Sequence, residues 1–240
     1  MRTLLAGALA LATVVQAAAA DLPMAPPPAP AYFPVLAPVY NWGGFYFGVN
    51  GGYGFGASKW TDPNNPAGST GSFNVNGWTV GPTIGVNFQT DAFVFGVEGD
   101  FAYSTIDGKI TTAFCSALSG FGTNPRCETQ NNWLATIRGR AGYAVDRVLF
   151  YGTAGGAFGN LRTGVNGSFN AGTEPGWTAG AGVEVAFTDN WTARLEYIYV
   201  GMANATCTTG NCGFNSTAAP NDTISFTTSL VRLGVDYKFR

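Results

Sequence analysis

The 240-residue chain has no histidine, and it carries only 12 lysines and arginines against 14 aspartates and glutamates. Without histidine, the commonest general base and the commonest zinc or haem ligand are missing, which disfavours most hydrolytic and metal chemistry. The basic residues are scattered singly and do not outnumber the acids. A phosphate backbone demands clustered lysine and arginine, so nucleic acid is not a partner. Beyond the first twenty residues no window of about eighteen mostly apolar residues occurs, which excludes a membrane-spanning helix. What is plentiful is glycine, with 34 residues, and aromatic side chains, with 18 Phe, 10 Tyr and 6 Trp. At 46% hydrophobic and a formal net charge of −2, the chain does not have the composition of a disordered one.

Residues 1–20 carry one basic residue (Arg2), an apolar stretch from Leu4 to Val15 and a small-residue end at Ala18, Ala19 and Ala20. That three-part pattern predicts a secretory signal peptide cleaved near Ala20. Residues 21–41 contain Pro23, Pro26, Pro27, Pro28, Pro30, Pro34 and Pro38, a composition that favours an extended spacer and forbids a helix. We read it as a periplasmic tether, with 42–240 as one folded domain. The four cysteines lie in two close pairs, Cys115 with Cys127 and Cys207 with Cys212. In an exported chain an even count predicts disulfides, each closing its own loop.

From Trp42 onward, eight segments alternate large apolar with small or polar side chains at period two, near 45–56, 78–89, 92–104, 132–144, 148–160, 176–187, 191–201 and 223–239. Period two predicts strands. Tight turns join them near Asp91, Asp146 and Asp189, whereas the stretches 57–77, 105–131, 161–175 and 202–222 are rich in turn formers and are read as long loops. An even strand number with short turns at one end and long loops at the other predicts an all-β, eight-stranded antiparallel transmembrane barrel.

One face of three segments is bracketed by aromatics ten positions apart: Trp78 and Phe88, Trp133 and Tyr143, Trp177 and Phe187. Ten residues at ~3.3 Å rise, tilted about 40°, climb roughly 25 Å, the height of the apolar band of such barrels. Phe93, Trp191, Tyr237 and Phe239 complete an aromatic belt at the short-turn end, at the level where aromatic rings favour the membrane interface. Phe150 and Tyr151 leave the faces of the fifth segment unassigned. Alternation puts Glu98, Asp100, Arg138, Arg140, Glu184, Arg194, Glu196, Arg232, Asp236 and Lys238 on the opposite, inward face. These are five acids and five bases, and in a lumen only wide enough for side chains they are expected to pair into an ionic plug. Inward glycines such as Gly48, Gly52, Gly85, Gly142, Gly182 and Gly234 leave room for them. Pro82, in mid-strand, removes a ladder donor and is expected to sit at a bulge.

Sharper chemistry finds less support. The run Gly51-Gly52-Tyr53-Gly54-Phe55-Gly56 lacks the following helix that a phosphate loop needs. Glu98 and Asp100 share an enclosed face with bases, whereas glycosidase carboxylates need a cleft open to substrate. Met202 is the one residue left as a haem-ligand candidate, and a buried apolar role explains it better. No cofactor and no catalytic or metal-binding residue is assigned.

The segments Asn41-Trp42-Gly43-Gly44-Phe45-Tyr46-Phe47-Gly48-Val49-Asn50-Gly51-Gly52-Tyr53-Gly54, Ala135-Thr136-Ile137-Arg138-Gly139-Arg140-Ala141-Gly142-Tyr143 and Val231-Arg232-Leu233-Gly234-Val235-Asp236-Tyr237-Lys238-Phe239 resemble the signatures of small alphaproteobacterial outer-membrane β-barrel proteins, a porin-family and surface-antigen group. The resemblance implies residence in outer-membrane lipid, both termini in the periplasm, and insertion by the barrel-assembly machinery. Members usually end on an aromatic residue, whereas here Arg240 follows Phe239. Members are described variously as porin-like, haem-binding, adhesive or immunogenic, and fold alone does not choose among these. The expectation is therefore a structural or surface-interaction protein, not an enzyme, with an extracellular ligand reached through the long loops. The alternative is a small-solute porin or haem-binding receptor.

Overall fold

A computed structural model describes residues 40–63, 65–119, 125–208 and 221–239. The expected signal peptide, most of the expected tether, Cys212 and Arg240 lie outside the described residues. The strands are β1 (Gly44–Asp62), β2 (Asn65–Thr90), β3 (Phe93–Thr111), β4 (Arg126–Val145), β5 (Val148–Val165), β6 (Ser168–Ala186), β7 (Trp191–Met202), β8 (Ala205–Thr208) and β9 (Asn221–Lys238), with one short helix, α1 (Ala113–Ser119). All pairings are antiparallel between neighbours, and β1 pairs with β9 to close the ring. Where β7 ends, β8 takes its place beside the upper part of β9. Nine strands thus build eight wall positions.

The strands run much further than the alternation of large apolar residues suggested. Stretches read as loops are mostly wall: β2 starts at Asn65, β4 at Arg126, and β5 and β6 meet at Asn166 and Gly167. Both residues of that turn have positive φ, 52° and 82°, the conformation an Asn-Gly hairpin turn requires. A strand of 19 residues climbs roughly 45–50 Å at ~3.3 Å rise and about 40° tilt, some 20 Å more than an apolar band of about 25 Å needs.

The excess height has its own packing rule. On β2 the outward residues below are Trp78, Val80, Ile84 and Phe88, all exposed, while above Trp78 the outward residues are Asn76, Asn74 and Ser72. The inward residues reverse as well, from Thr79 and Thr83 below to Phe73 and Val75 above. On β3 the outward face runs from Phe93 to Tyr103 and then turns to Thr105, Asp107, Lys109 and Thr111. Its inward face passes from Glu98 and Asp100 to Ile106. On β9, Arg232 gives way to Leu230, Phe226 and Ile224. The lower storey is apolar outside and polar inside, as lipid demands; the upper is polar outside and apolar inside, as water demands.

Pro82 does not make a bulge. It stays in unbroken register opposite Val49, and on its other side β2 and β3 skip the pairings between Val80 and Thr83 without a shift. The missing donor is absorbed by a local gap in the ladder, and Gly81 lets the Phe101 carbonyl approach where a Cβ would collide.

Candidate functional site

The lumen is where the sequence concentrates its unusual chemistry, and it is packed at three levels. At the middle level, register places opposite charges side by side: Glu98 faces Arg138 across β3 and β4, Glu184 faces Arg194 across β6 and β7, and Glu196 faces Arg232 across β7 and β9. Arg138 is the hub. One guanidinium nitrogen binds Glu98 at 2.5 Å and Asp100 at 3.1 Å, and another reaches Glu196 across the lumen at 3.0 Å. Arg232 bridges Asp100 at 2.9 Å and Glu196 at 2.8 Å. Arg140 binds Glu184 at 2.7 Å and stacks over the Tyr151 ring at 4.1 Å. Arg194 binds Glu98 and lies 3.3 Å from Asp236. Neutral donors finish the shell: the Tyr46 hydroxyl donates to Glu98, Thr136 to Asp100 and Thr192 to Glu184. A buried charge is tolerated only when paired and hydrogen-bonded, and eight of these nine meet that condition; Asp236 has its ion pair with Arg194, but among the described residues neither of its carboxylate oxygens accepts a hydrogen bond.

All ten charged residues assigned to the inner face lie there and are buried. Lys238 is the one that serves a different level. It donates to the Asn41 carbonyl and lies over the Tyr40 ring at 4.4 Å. Tyr40 and Asn41, assigned from sequence to the tether, belong with Trp42 to a strap across the short-turn mouth. Trp42 is 1% exposed. Its backbone N–H donates to Gln89 at 2.6 Å, its indole N–H donates to the Asp146 carbonyl at 3.1 Å, and its ring meets Tyr40 edge to face. Under the strap, Val94, Ala144, Leu149, Tyr151 and Ala186 form a small apolar layer. Tyr151 therefore points inward while Phe150 points outward, which settles the faces of that strand.

Above the ions lies the apolar core of the upper storey, built around Trp60, Phe73, Val75, Ile106, Leu134, Leu161, Ile198, Phe226 and Leu230. Met202 is part of this core, its sulfur packed close to Gly176. That placement gives it no open side for haem. Cys115 and Cys127 form a disulfide with Cα atoms 5.7 Å apart, tying α1 to the start of β4 inside the core. Cys207 is disulfide-bonded as well, and its expected partner, Cys212, lies outside the described residues. At the upper end Asp222 is fully buried, and burial together with nearby Asp62 pushes its carboxyl up to about 6.

The residues expected to form the belts all point outward. Trp78, Phe88, Phe93, Tyr143, Trp177, Phe187, Trp191 and Phe239 are exposed, and Trp133 and Tyr237 half-exposed. They meet as cross-strand pairs such as Tyr53 with Trp78, Phe93 with Tyr143, Trp177 with Tyr199 and Trp191 with Tyr237. Sequence reasoning missed the aromatic bracket of β1, Phe45 and Phe55, and that of β3, Phe93 and Tyr103. Both have the same ten-residue spacing that marked the others.

Comparison with known proteins agrees with this geometry. Residues 6–239 match the family described as outer membrane protein beta-barrel domain. The 31 kDa outer-membrane immunogenic protein of Brucella melitensis is 33% identical, covering 100% of both chains. The 25 kDa outer-membrane immunogenic protein of Brucella canis is 34% identical over 92% of this chain and 90% of its own. A 22 kDa outer membrane protein of Rhizobium leguminosarum bv. viciae is 33% identical over 85% of this chain and 81% of its own.

Proposed function

Because the chain belongs to the outer membrane protein β-barrel domain family, we propose that it is a closed, non-catalytic barrel that presents a folded upper storey at the cell surface. The observation that carries this reading is the occupied lumen: strap, ionic layer and apolar core lie one above another along its length. A porin needs a water-filled path, and three packed layers argue against one. Glu98 and Asp100 are held by Arg138 and Arg232 away from any substrate, which supports a role without catalysis.

The direction follows from the same asymmetry. The storey that is polar outside projects into water beyond the outer leaflet, and the short turns with the strap face the periplasm. Both termini are then periplasmic, and the signal peptide is removed near Ala20. Insertion falls to the barrel-assembly machinery, with Tyr237 and Phe239 as the terminal aromatic pair. Outward polar residues of the upper storey are the surface for an extracellular ligand. Liposome swelling tests the closed state: vesicles loaded with the refolded protein should swell in arabinose no faster than empty ones, and swelling that rises with protein content would overturn it.

A further inference from the structure

The outer wall carries one polar notch that neither the lumen nor the lipid explains. Between Tyr103 and Ile106, β3 has one residue more than β4; between Asn131 and Leu134, β4 has one more than β5. Two irregularities side by side bend the wall and re-aim side chains, which is what such bulges do beside binding sites. Here they open a cavity of about 310 Å³ lined by Tyr103, Thr105, Asp107, Gln130 and Asn132 among others. That is the lower end of the ~300–1,000 Å³ range of small-molecule sites. The notch sits directly above Tyr103 and Trp133, opposite each other at the top of the apolar band, with Trp133 stacked on Phe101.

Its chemistry is specific. Asp107 and Gln130 are cross-strand partners, and among the described residues the side chains of Asp107, Gln130 and Asn132 have no hydrogen-bond partner. Together they present one anionic acceptor and two carboxamides that both donate and accept, beside exposed aromatic rings with apolar faces. Among the described residues no cation lines the notch, and Lys109, two residues above Asp107, is turned to Glu128 at 3.8 Å. An anionic ligand is therefore disfavoured. A ligand with adjacent hydroxyls and an apolar ring face satisfies every group present.

The geometry points to a binding site for a neutral pyranose ring, with Asp107, Gln130 and Asn132 taking its hydroxyls and Tyr103 its C–H face. The sugar belongs either to a glycolipid headgroup of the surrounding leaflet, at whose level the notch lies, or to a saccharide in the medium. Side-chain amide resonances of Gln130 and Asn132 read both. The full-length protein in an amine-oxide detergent, chosen because it contains no sugar, is titrated with methyl α-D-glucopyranoside, methyl α-D-mannopyranoside and methyl β-D-galactopyranoside. In parallel, phosphatidylcholine nanodiscs are compared with and without a galactosyl diacylglycerol.

Saturable shifts with dissociation constants on the order of 1 mM in detergent identify a soluble sugar. Shifts only in the glycolipid discs identify the leaflet. Asp107→Ala should weaken either at least tenfold, while Asn74→Ala, on the same wall outside the notch, should leave it unchanged. Backbone amide spectra that stay native in both variants separate a lost contact from a lost fold. Absence of shifts in both settings, or shifts indifferent to Asp107→Ala, overturns the proposal.

Discussion

Replacing Arg138 with methionine keeps most of the side-chain volume and removes the hub of the ionic layer. The guanidinium touches Glu98, Asp100 and Glu196 and is fully buried. Glu98 keeps Arg194, and both Asp100 and Glu196 keep Arg232, so no carboxylate is wholly abandoned. The layer nevertheless carries one more unbalanced negative charge than in the native protein. Breaking a buried pair in this way costs about 3–5 kcal/mol. With a urea slope of about 2 kcal/mol per M, the unfolding midpoint in vesicles should fall by roughly 2 M. Glu196→Gln in the Arg138→Met background restores charge balance, so the double variant should be more stable than the sum of the singles by at least ~1 kcal/mol. An Arg138→Met cost below about 1 kcal/mol, or strict additivity in the cycle, refutes the view that the middle layer is a coupled ionic plug.

The polarity reversal makes a paired prediction. Phe226→Asp places an unpaired charge in the upper core and should block folding or cost several kcal/mol, whereas Asn74→Asp, on the outer face at similar height, should stay within about 0.5 kcal/mol by urea titration. Trp42→Ala removes the buried ring of the strap and its indole hydrogen bond to the Asp146 carbonyl, and thermal unfolding should report a loss of about 3 kcal/mol; an unchanged midpoint would mean that the strap does not hold. Asp222 has its carboxyl raised above its unfolded value, so its ionised form is penalised only in the folded state. Its penalty is absent below about pH 4 and grows as pH rises through about 6. Asp222→Asn should therefore stabilise the protein at pH 8 by ~1 kcal/mol after allowance for solvent screening, and by nothing at pH 4; equal effects at both pH values would contradict the assignment.

The lower storey was legible in the sequence because lipid outside and ions inside impose opposite chemistry on alternate residues. Trp78 to Phe88 and Glu98 with Asp100 could be placed from period two alone. The upper storey was not, because it keeps the period and exchanges the faces. Asn74, Asn76, Thr105 and Asp107 look like loop residues until Phe73, Val75 and Ile106 are seen to form the complementary inner face. The sharpest overlooked signal was Asn166-Gly167, a hairpin turn flanked by strand-compatible residues inside a stretch read as a loop. The strap escaped for a different reason. Tyr40 and Trp42 precede the first strand and follow no periodic pattern, and only the folded mouth, with Gln89, Asp146 and Lys238 converging from three other segments, gives them a place. Lys238 illustrates the limit of alternation, which assigned its face correctly but not its partners.

Planar-bilayer recording on the refolded protein tests the sealed lumen most directly. On the proposed reading strap, ions and core in series close the lumen, so in 1 M KCl the account predicts a baseline indistinguishable from bare lipid, for the native chain and for Trp42→Ala alike. Stable, well-resolved conductance steps from the native chain would contradict it.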